Sequence, residues 1–164
     1  MQTVRQLGPD DVEAFRDIRL EALRLQPDAF GSIYAVEVKE TLADFAAKIA
    51  RGSLFGGFVD GRIEGMAGFG VQTAAQLSHK GTLGGMYVRE ALRGSGLAEG
   101  IVNAVLAHAK TRVEQIHLAV AAANERAIRF YRRLRFEAYA TEPRALKVGR
   151  TYVDELLMVR FLGQ

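Results

Sequence analysis

The stretch from Thr82 to Ala98 constrains the fold more than any other part of the chain. A short apolar run ending in Met86-Tyr87-Val88 leads through a glycine-bearing bend, Arg93-Gly94-Ser95-Gly96, into a helical pattern. Beyond the bend, Leu97, Ile101, Val105 and Ala109 recur every four residues beside Ala98, Val102 and Leu106, which predicts a helix over residues 97 to about 110. Residues 82–88, bounded by polar Ser78-His79-Lys80 and by Arg89-Glu90, read as a buried strand. Residues 116–121 form a second apolar run after the helix, so the spacing suits a strand–helix–strand unit with a right-handed crossover.

A bend of this kind attracts an anion. The first N–H groups of a helix have no partner and carry the positive end of the macrodipole. Gly94 and Gly96 let the backbone approach without a Cβ in the way, and Arg93 adds a planar cation suited to phosphate oxygens. An ordinary strand-to-helix turn is the alternative for the bend taken alone. Two familiar phosphate motifs fail: no Lys-Ser/Thr pair closes a Gly-x-x-x-x-Gly, and Glu99 stands where a dinucleotide fingerprint needs its last glycine.

A third pattern fits. Arg93, Gly96 and Ala98 satisfy Arg/Gln-x-x-Gly-x-Gly/Ala, and Asn124-Glu125-Arg126-Ala127-Ile128-Arg129-Phe130-Tyr131 follows about 25 residues later. On these residues the sequence resembles the GNAT superfamily of acyl-CoA-dependent N-acyltransferases, over nearly the whole chain. One departure is Arg135-Phe136 where the family usually has Gly-Phe, which puts a tight left-handed stop after the tyrosine helix in question. The resemblance implies an α/β (α+β) fold, a single N-acetyltransferase domain over residues 1–164. Its mixed, mostly antiparallel sheet would have about seven strands, with one splayed parallel pair and flanking helices.

The rest of the chain fills in that order. Residues 3–6 read as an edge strand, and Asp10-Asp11-Val12-Glu13 as a capping box opening a helix to about Leu25, ended by Pro27. Residues 42–50 read as a second helix stopped by Gly52. Residues 54–59 and 63–71 read as strands joined by the hairpin turn Asp60-Gly61. Residues 137–141 and 152–161 close the chain as strands, with Gly149-Arg150 between them.

Composition narrows the chemistry. With 164 residues, 49% of them hydrophobic, and three prolines, the chain can bury about two thirds of its unfolded surface in one core. No run approaches the roughly 20 residues of a membrane span and the start lacks a signal pattern, so a soluble cytoplasmic protein is expected, with no membrane partner. The absence of cysteine removes disulfides, thiolate metal sites and a cysteinyl acyl intermediate, and the three histidines have no metal spacing, so no metal is expected. A net charge of +3 and the crowding of Arg126, Arg129, Arg132, Arg133 and Arg135 leave three readings: a solvated face, a nucleic-acid surface, or cations for a cofactor's phosphates. No nucleic-acid partner is expected.

Without cysteine, acyl transfer from a thioester proceeds most simply by direct attack of a neutral amine in a ternary complex. The resemblance implies acetyl-CoA as donor, gripped by Arg93, Gly94, Ser95, Gly96, Leu97 and Ala98. It also implies that the backbone of the strand carrying Met86, Tyr87 and Val88 meets the pantetheine arm where two parallel strands splay. Asn124, a helix N-cap on its own merits, would add a hydrogen bond to that arm. Tyr131 holds the position whose hydroxyl protonates the departing thiolate in the family, while its spacing alone, on one helical face with Ala127 and Leu134, favours a packed core residue. Glu64, His79, Tyr87, His117 and Glu137 are available as base, and none matches a motif. The acceptor, a small-molecule or peptide amine, is expected near residues 26–34 and 143–151, with Phe30, Tyr34 and Glu37 as an apolar pocket bearing one acid. Loop anchors and a solvated charge are the alternative for those three. A non-catalytic acyl-CoA sensor of the same fold is the competing function, and a homodimer is left open.

Overall fold

Strand alternation divides the apolar residues between the two faces of one sheet. The computed structural model describes residues 1–163. The elements run β1 (Gln2–Gln6), α1 (Val12–Leu25), α2 (Tyr34–Glu37), α3 (Leu42–Ala50), β2 (Leu54–Val59), β3 (Arg62–Val71), β4 (Lys80–Val88), α4 (Leu97–Ala109), β5 (Gln115–Ala121), α5 (Glu125–Arg133), β6 (Glu137–Val148) and β7 (Thr151–Phe161). The sheet has seven strands in the order β1-β2-β3-β4-β5-β7-β6. Every neighbouring pair is antiparallel except β4–β5. One face packs under α4 and α5, with Ile101, Val105, Ile116, Leu118, Phe136 and Met158 buried. The other packs under α1 and α3 around Phe15, Ile18, Phe45, Phe58 and Tyr87. The expected mixed sheet with one splayed parallel pair is therefore present.

The parallel pair is short. Lys80, Gly81 and Thr82 lie opposite Gln115, Ile116 and His117, and beyond them the two strands have no register. On its other side β4 takes a bulge against β3, because Met66 faces Tyr87 while Gly68 faces Gly84, leaving one extra residue on β4 with Gly85 at φ +60°. Helix α4 packs on the β1–β4 half of the sheet. Its Ile101 rests where a Cβ on Gly57 or Gly65 would stand at 2.7–2.8 Å, so those paired glycines are what let the helix sit close.

Several local expectations change. Asp11 does not cap α1 through its side chain: the carboxylate takes the Gly8 N–H at 2.8 Å and both Arg5 nitrogens at 2.6 and 2.9 Å. A further short helix, α2, lies between the two helices that the sequence pattern predicts in this part of the chain. Strand β6 runs past Thr141 to Val148, so residues 143–148 are strand and not loop. Its ladder to β7 breaks twice, around Tyr139 and around residues 143–145, with Arg144 at φ +50°. The Asp60-Gly61 hairpin has the expected turn, both residues at positive φ (+48° and +82°).

The left-handed stop after α5 forms despite the missing glycine. Arg135 sits at φ +66°, its N–H bonded to the Arg132 carbonyl at 2.9 Å and the Phe136 N–H to the Tyr131 carbonyl at 3.1 Å. This is the Schellman pair. The apolar contact that accompanies it is Tyr131 against Phe136, ring centroids 5.8 Å apart. A non-glycine residue in this conformation costs about 1–2 kcal/mol. Arg135→Gly is expected to raise the Tm in thermal unfolding by about 2–8 °C; an unchanged or lower Tm would contradict the strain at this stop.

Candidate active site

Where β4 and β5 part, a cleft of about 950 Å³ opens, lined by β4 from Leu83 to Val88 and by β5 from Leu118 to Ala121. Residues from both sheet faces reach it. From the α4 and α5 side come Arg93, Gly94, Gly96, Ala98, Asn124, Arg126, Arg129, Tyr131 and Arg133. From the α1 side come Leu25 to Ala29, and from β7 comes Glu155. The cleft is thus reached from both sides of the sheet.

The bend before α4 is shaped by backbone conformation. Gly96 caps the helix at φ +89° with no side-chain cap bond, and Gly94 sits at φ +79°. A Cβ on either glycine would meet nothing in the protein, so it is the left-handed conformation that requires glycine there. Ser95 builds the turn, its hydroxyl donating to the Leu92 carbonyl at 2.6 Å and accepting the Leu97 N–H at 3.3 Å. Among the described residues, the N–H groups of Gly94, Gly96, Ala98 and Glu99 have no partner in the chain. Successive free amides of this kind form an anion-binding concavity.

Arginines surround that concavity. Arg126, Arg129 and Arg133 share the cleft side of α5 and join Arg93 in lining the cleft, whereas Arg132 and Arg135 do not. The crowded arginine segment therefore splits, part of it facing the cleft. Arg129 meets Glu125 at 3.8 Å in a fully exposed geometry that leaves its charge available. The comb of cations and the free amides fit a long anionic ligand with phosphate at one end. Asn124 caps α5, its side-chain oxygen accepting the Ala127 N–H at 3.2 Å.

Tyr131 is buried yet lines the cleft, held edge-on between Phe130 and Phe136 at 5.2 and 5.8 Å. Burial pushes its hydroxyl well above the usual phenol range, so it is protonated at neutral pH. Met86, Tyr87 and Val88 line the cleft, while Ser95 and the core residue Leu97 do not. The Tyr87 hydroxyl is committed elsewhere. It donates to Glu21 at 2.9 Å, and burial together with that carboxylate pushes it up to about 12, which rules it out as a base near neutral pH.

The other proposed bases stand outside the cleft. Glu64 accepts from Arg89 at 3.1 Å. His117, its two ring nitrogens against Gln115 and Tyr139 at 2.8 and 3.2 Å, is shifted down by burial and by Lys80 and His79. His79 and Glu137 do not line the cleft either.

The expected acceptor pocket of Phe30, Tyr34 and Glu37 is not part of the cleft; from the same link only Gln26 to Ala29 reach it. Phe30 is in the core with the Arg19 guanidinium 5.2 Å above its ring, and Tyr34 is exposed. Glu37 is buried and bound by Arg19 at 2.8 and 3.0 Å, with Lys48 at 3.7 Å. An acid so paired is a structural anchor, and the pairing spans 18 residues of sequence, which no local pattern reveals. Glu155 and the division of the arginines escaped sequence reading for the same reason: each depends on cross-strand register or helix phase.

No helix is long and apolar enough to cross a membrane, and no group of three or more His, Cys, Asp or Glu side chains is placed to hold a metal ion, among the described residues.

A family model described as the acetyltransferase (GNAT) family matches residues 15–136. Among solved structures, a GNAT-family acetyltransferase from Streptococcus pneumoniae superposes with TM-score 0.88 at 17% identity, covering 99% of this chain and 100% of the other. A Salmonella typhimurium protein solved with its cofactor acetyl-CoA gives 0.86 at 20% identity, covering 100% and 95%. A ribosomal-protein-alanine N-acetyltransferase from Brucella melitensis gives 0.85 at 20%, covering 98% and 99%. No curated protein matches in sequence.

Burial pushes the Glu37 carboxyl up, but the hydrogen bonds from Arg19 and Ser32 and the charges of Arg19 and Lys48 outweigh it and hold the group down at about 2. A lowered folded value contributes stability that is present above the unfolded value near 4.5 and lost as pH falls toward 2. Urea unfolding between pH 7 and pH 2 is expected to show this loss, and Glu37→Gln to flatten it while lowering stability at pH 7. A Glu37→Gln profile parallel to the wild type would refute the assignment.

Proposed function

The chain belongs to the GNAT acetyltransferase family, and from that premise we propose that it is a single N-acetyltransferase domain over residues 1–164, transferring the acetyl group of acetyl-CoA directly to a primary amine. The observation that carries this reading is the cleft open to both faces of the sheet, with phosphate-binding groups at one mouth. The unpartnered N–H groups between Gly94 and Glu99 take the diphosphate, aided by Arg93. Arg126, Arg129 and Arg133 add charge that suits further phosphate. The β4 edge at Met86 to Val88, unpaired toward β5, offers backbone groups to an amide-bearing pantetheine arm, and Asn124 flanks it.

The bound donor supplies a thioester carbonyl, and with no cysteine in the chain the amine attacks it without a thiol acyl intermediate. Tyr131 gives its hydroxyl proton to the leaving sulfur. A buried phenol kept protonated at neutral pH can do so, and its position is fixed by the packing of Phe130 and Phe136. The acceptor approaches from the opposite mouth, past Gln26 to Ala29. It is an amine of a small molecule or of a peptide.

Two measurements test the reading. Isothermal titration is expected to show acetyl-CoA binding that weakens in the Arg126→Ala/Arg129→Ala/Arg133→Ala variant and with added salt; no affinity in the wild type would remove the proposal. Tyr131→Phe is expected to slow thiol release from acetyl-CoA with a panel of amines by about 10²-fold while acetyl-CoA affinity is retained. Binding without turnover in the wild type would instead favour a non-catalytic sensor.

A further inference from the structure

Glu155 is an acidic side chain of the cleft with no cation assigned to it. It lies on β7 opposite Ala121 of β5 and opposite Glu142 of β6. The neighbouring pairs Leu118–Met158 and Val120–Leu156 point into the core under α4 and α5. Alternation therefore turns Ala121 and Glu155 to the other face, where the turn Pro27–Ala29 packs against β5 and β6. Ala119 and Ala121 are small and line the cleft with it, leaving room beside the carboxylate. Among the described residues no hydrogen bond or ion pair engages the Glu155 carboxylate. Glu21, Glu37 and Glu64, by contrast, are each bound by an arginine.

We propose that Glu155 receives the acceptor's amine and takes its surplus proton during transfer, an inference that rests on the acetyl-transfer reading above. The nitrogen lone pair forms the C–N bond to the thioester carbon as the C–S bond breaks, its electron pair leaving on sulfur. The proton lost by nitrogen passes to the Glu155 carboxylate. The sulfur takes the Tyr131 proton, and water returns the proton from Glu155 to Tyr131, so amine and thioester become amide and thiol with both side chains restored.

The surroundings suit that task. Desolvation and the facing charge of Glu142 hold the Glu155 carboxyl above its usual range, which brings it closer to a base useful near neutral pH. Glu142 stands opposite it on β6, with Arg144 two positions further along that strand, and Asp28 of the 27–29 turn and Tyr87 of β4 line the same cleft. Across the cleft stand Arg93 and Glu99 of the α4 end and Arg126, Arg129, Tyr131 and Arg133 of α5. β5 contributes only alanines beside it. Asp28 and Glu155 line the acceptor mouth and Glu142 stands opposite Glu155; these carboxylates attract an ammonium, which gives one proton to solvent before its nitrogen lone pair attacks, and the second proton is the one Glu155 takes.

The test uses the full chain and the amine turned over fastest in a panel of primary amines. Glu155→Gln is expected to lower kcat/KM by about 10²-fold or more, to remove one of the two ionisations from the acid limb of its pH profile, leaving that of the amine itself, and to leave acetyl-CoA affinity by titration calorimetry unchanged, which also verifies folding. Glu142→Gln removes a like charge and is expected to move that limb to lower pH. A side-chain carboxyl NMR titration of Glu155 in the free protein should show the same displacement. Wild-type turnover with an unaffected Glu155→Gln rate and pH profile would overturn this inference alone. No wild-type turnover of any amine would overturn the acetyl-transfer reading and this one with it.

Discussion

The short ladder between β4 and β5 is the constraint on which the rest of the molecule depends. Lys80 to Thr82 pair with Gln115 to His117 and then the strands separate, so a sheet that is continuous elsewhere has a gap at its centre. Backbone groups inside a protein need partners, and a strand left unpaired in mid-sheet is tolerable where solvent or a ligand backbone completes it. The two halves share one core on the α4 and α5 face, where Ile101, Val102 and Val105 of α4 belong to the same buried cluster as Ile116 and Leu118 of β5 and Met158 of β7. The bulge at Gly85 widens the separation by turning the β4 backbone locally.

Charge is sorted across that gap. One mouth carries Arg93, Arg126, Arg129 and Arg133 with the free amides of the α4 end; the other carries Asp28 and Glu155, with Glu142 beside it. Further acids nearby are neutralised by internal pairs, Glu37 with Arg19 and Glu21 and Glu64 with Arg89. Those pairs stitch α1 to α2 and to the end of β4, so they hold the rim in shape without presenting charge to it.

Much of the fold was legible in the sequence because it is written in local period. The four-residue recurrence from Leu97 to Ala109 and the Asp60-Gly61 turn each specify an element through neighbours a few positions apart. The glycine bend ahead of α4 was legible for the same reason, its two glycines lying within one turn. What could not be read was set by distant partners. Asp11 looks like a helix cap until Arg5 takes it; Glu37 looks like a free acid until Arg19 folds over it. Glu155 gains meaning only from its register against Ala121 and Glu142. Arg135 shows the reverse: the pattern argued against a left-handed stop, and the Tyr131–Phe136 contact with its two backbone bonds imposes one.

The outermost strands bear on how copies of the molecule meet. At one margin β1 offers only five residues. At the other, β6 shifts its pairing twice along its length and includes Pro143, which has no N–H to give. A second chain laid alongside β6 would find an interrupted row of donors and acceptors, which makes this border a poorer template for a further strand than a flat, regular ribbon.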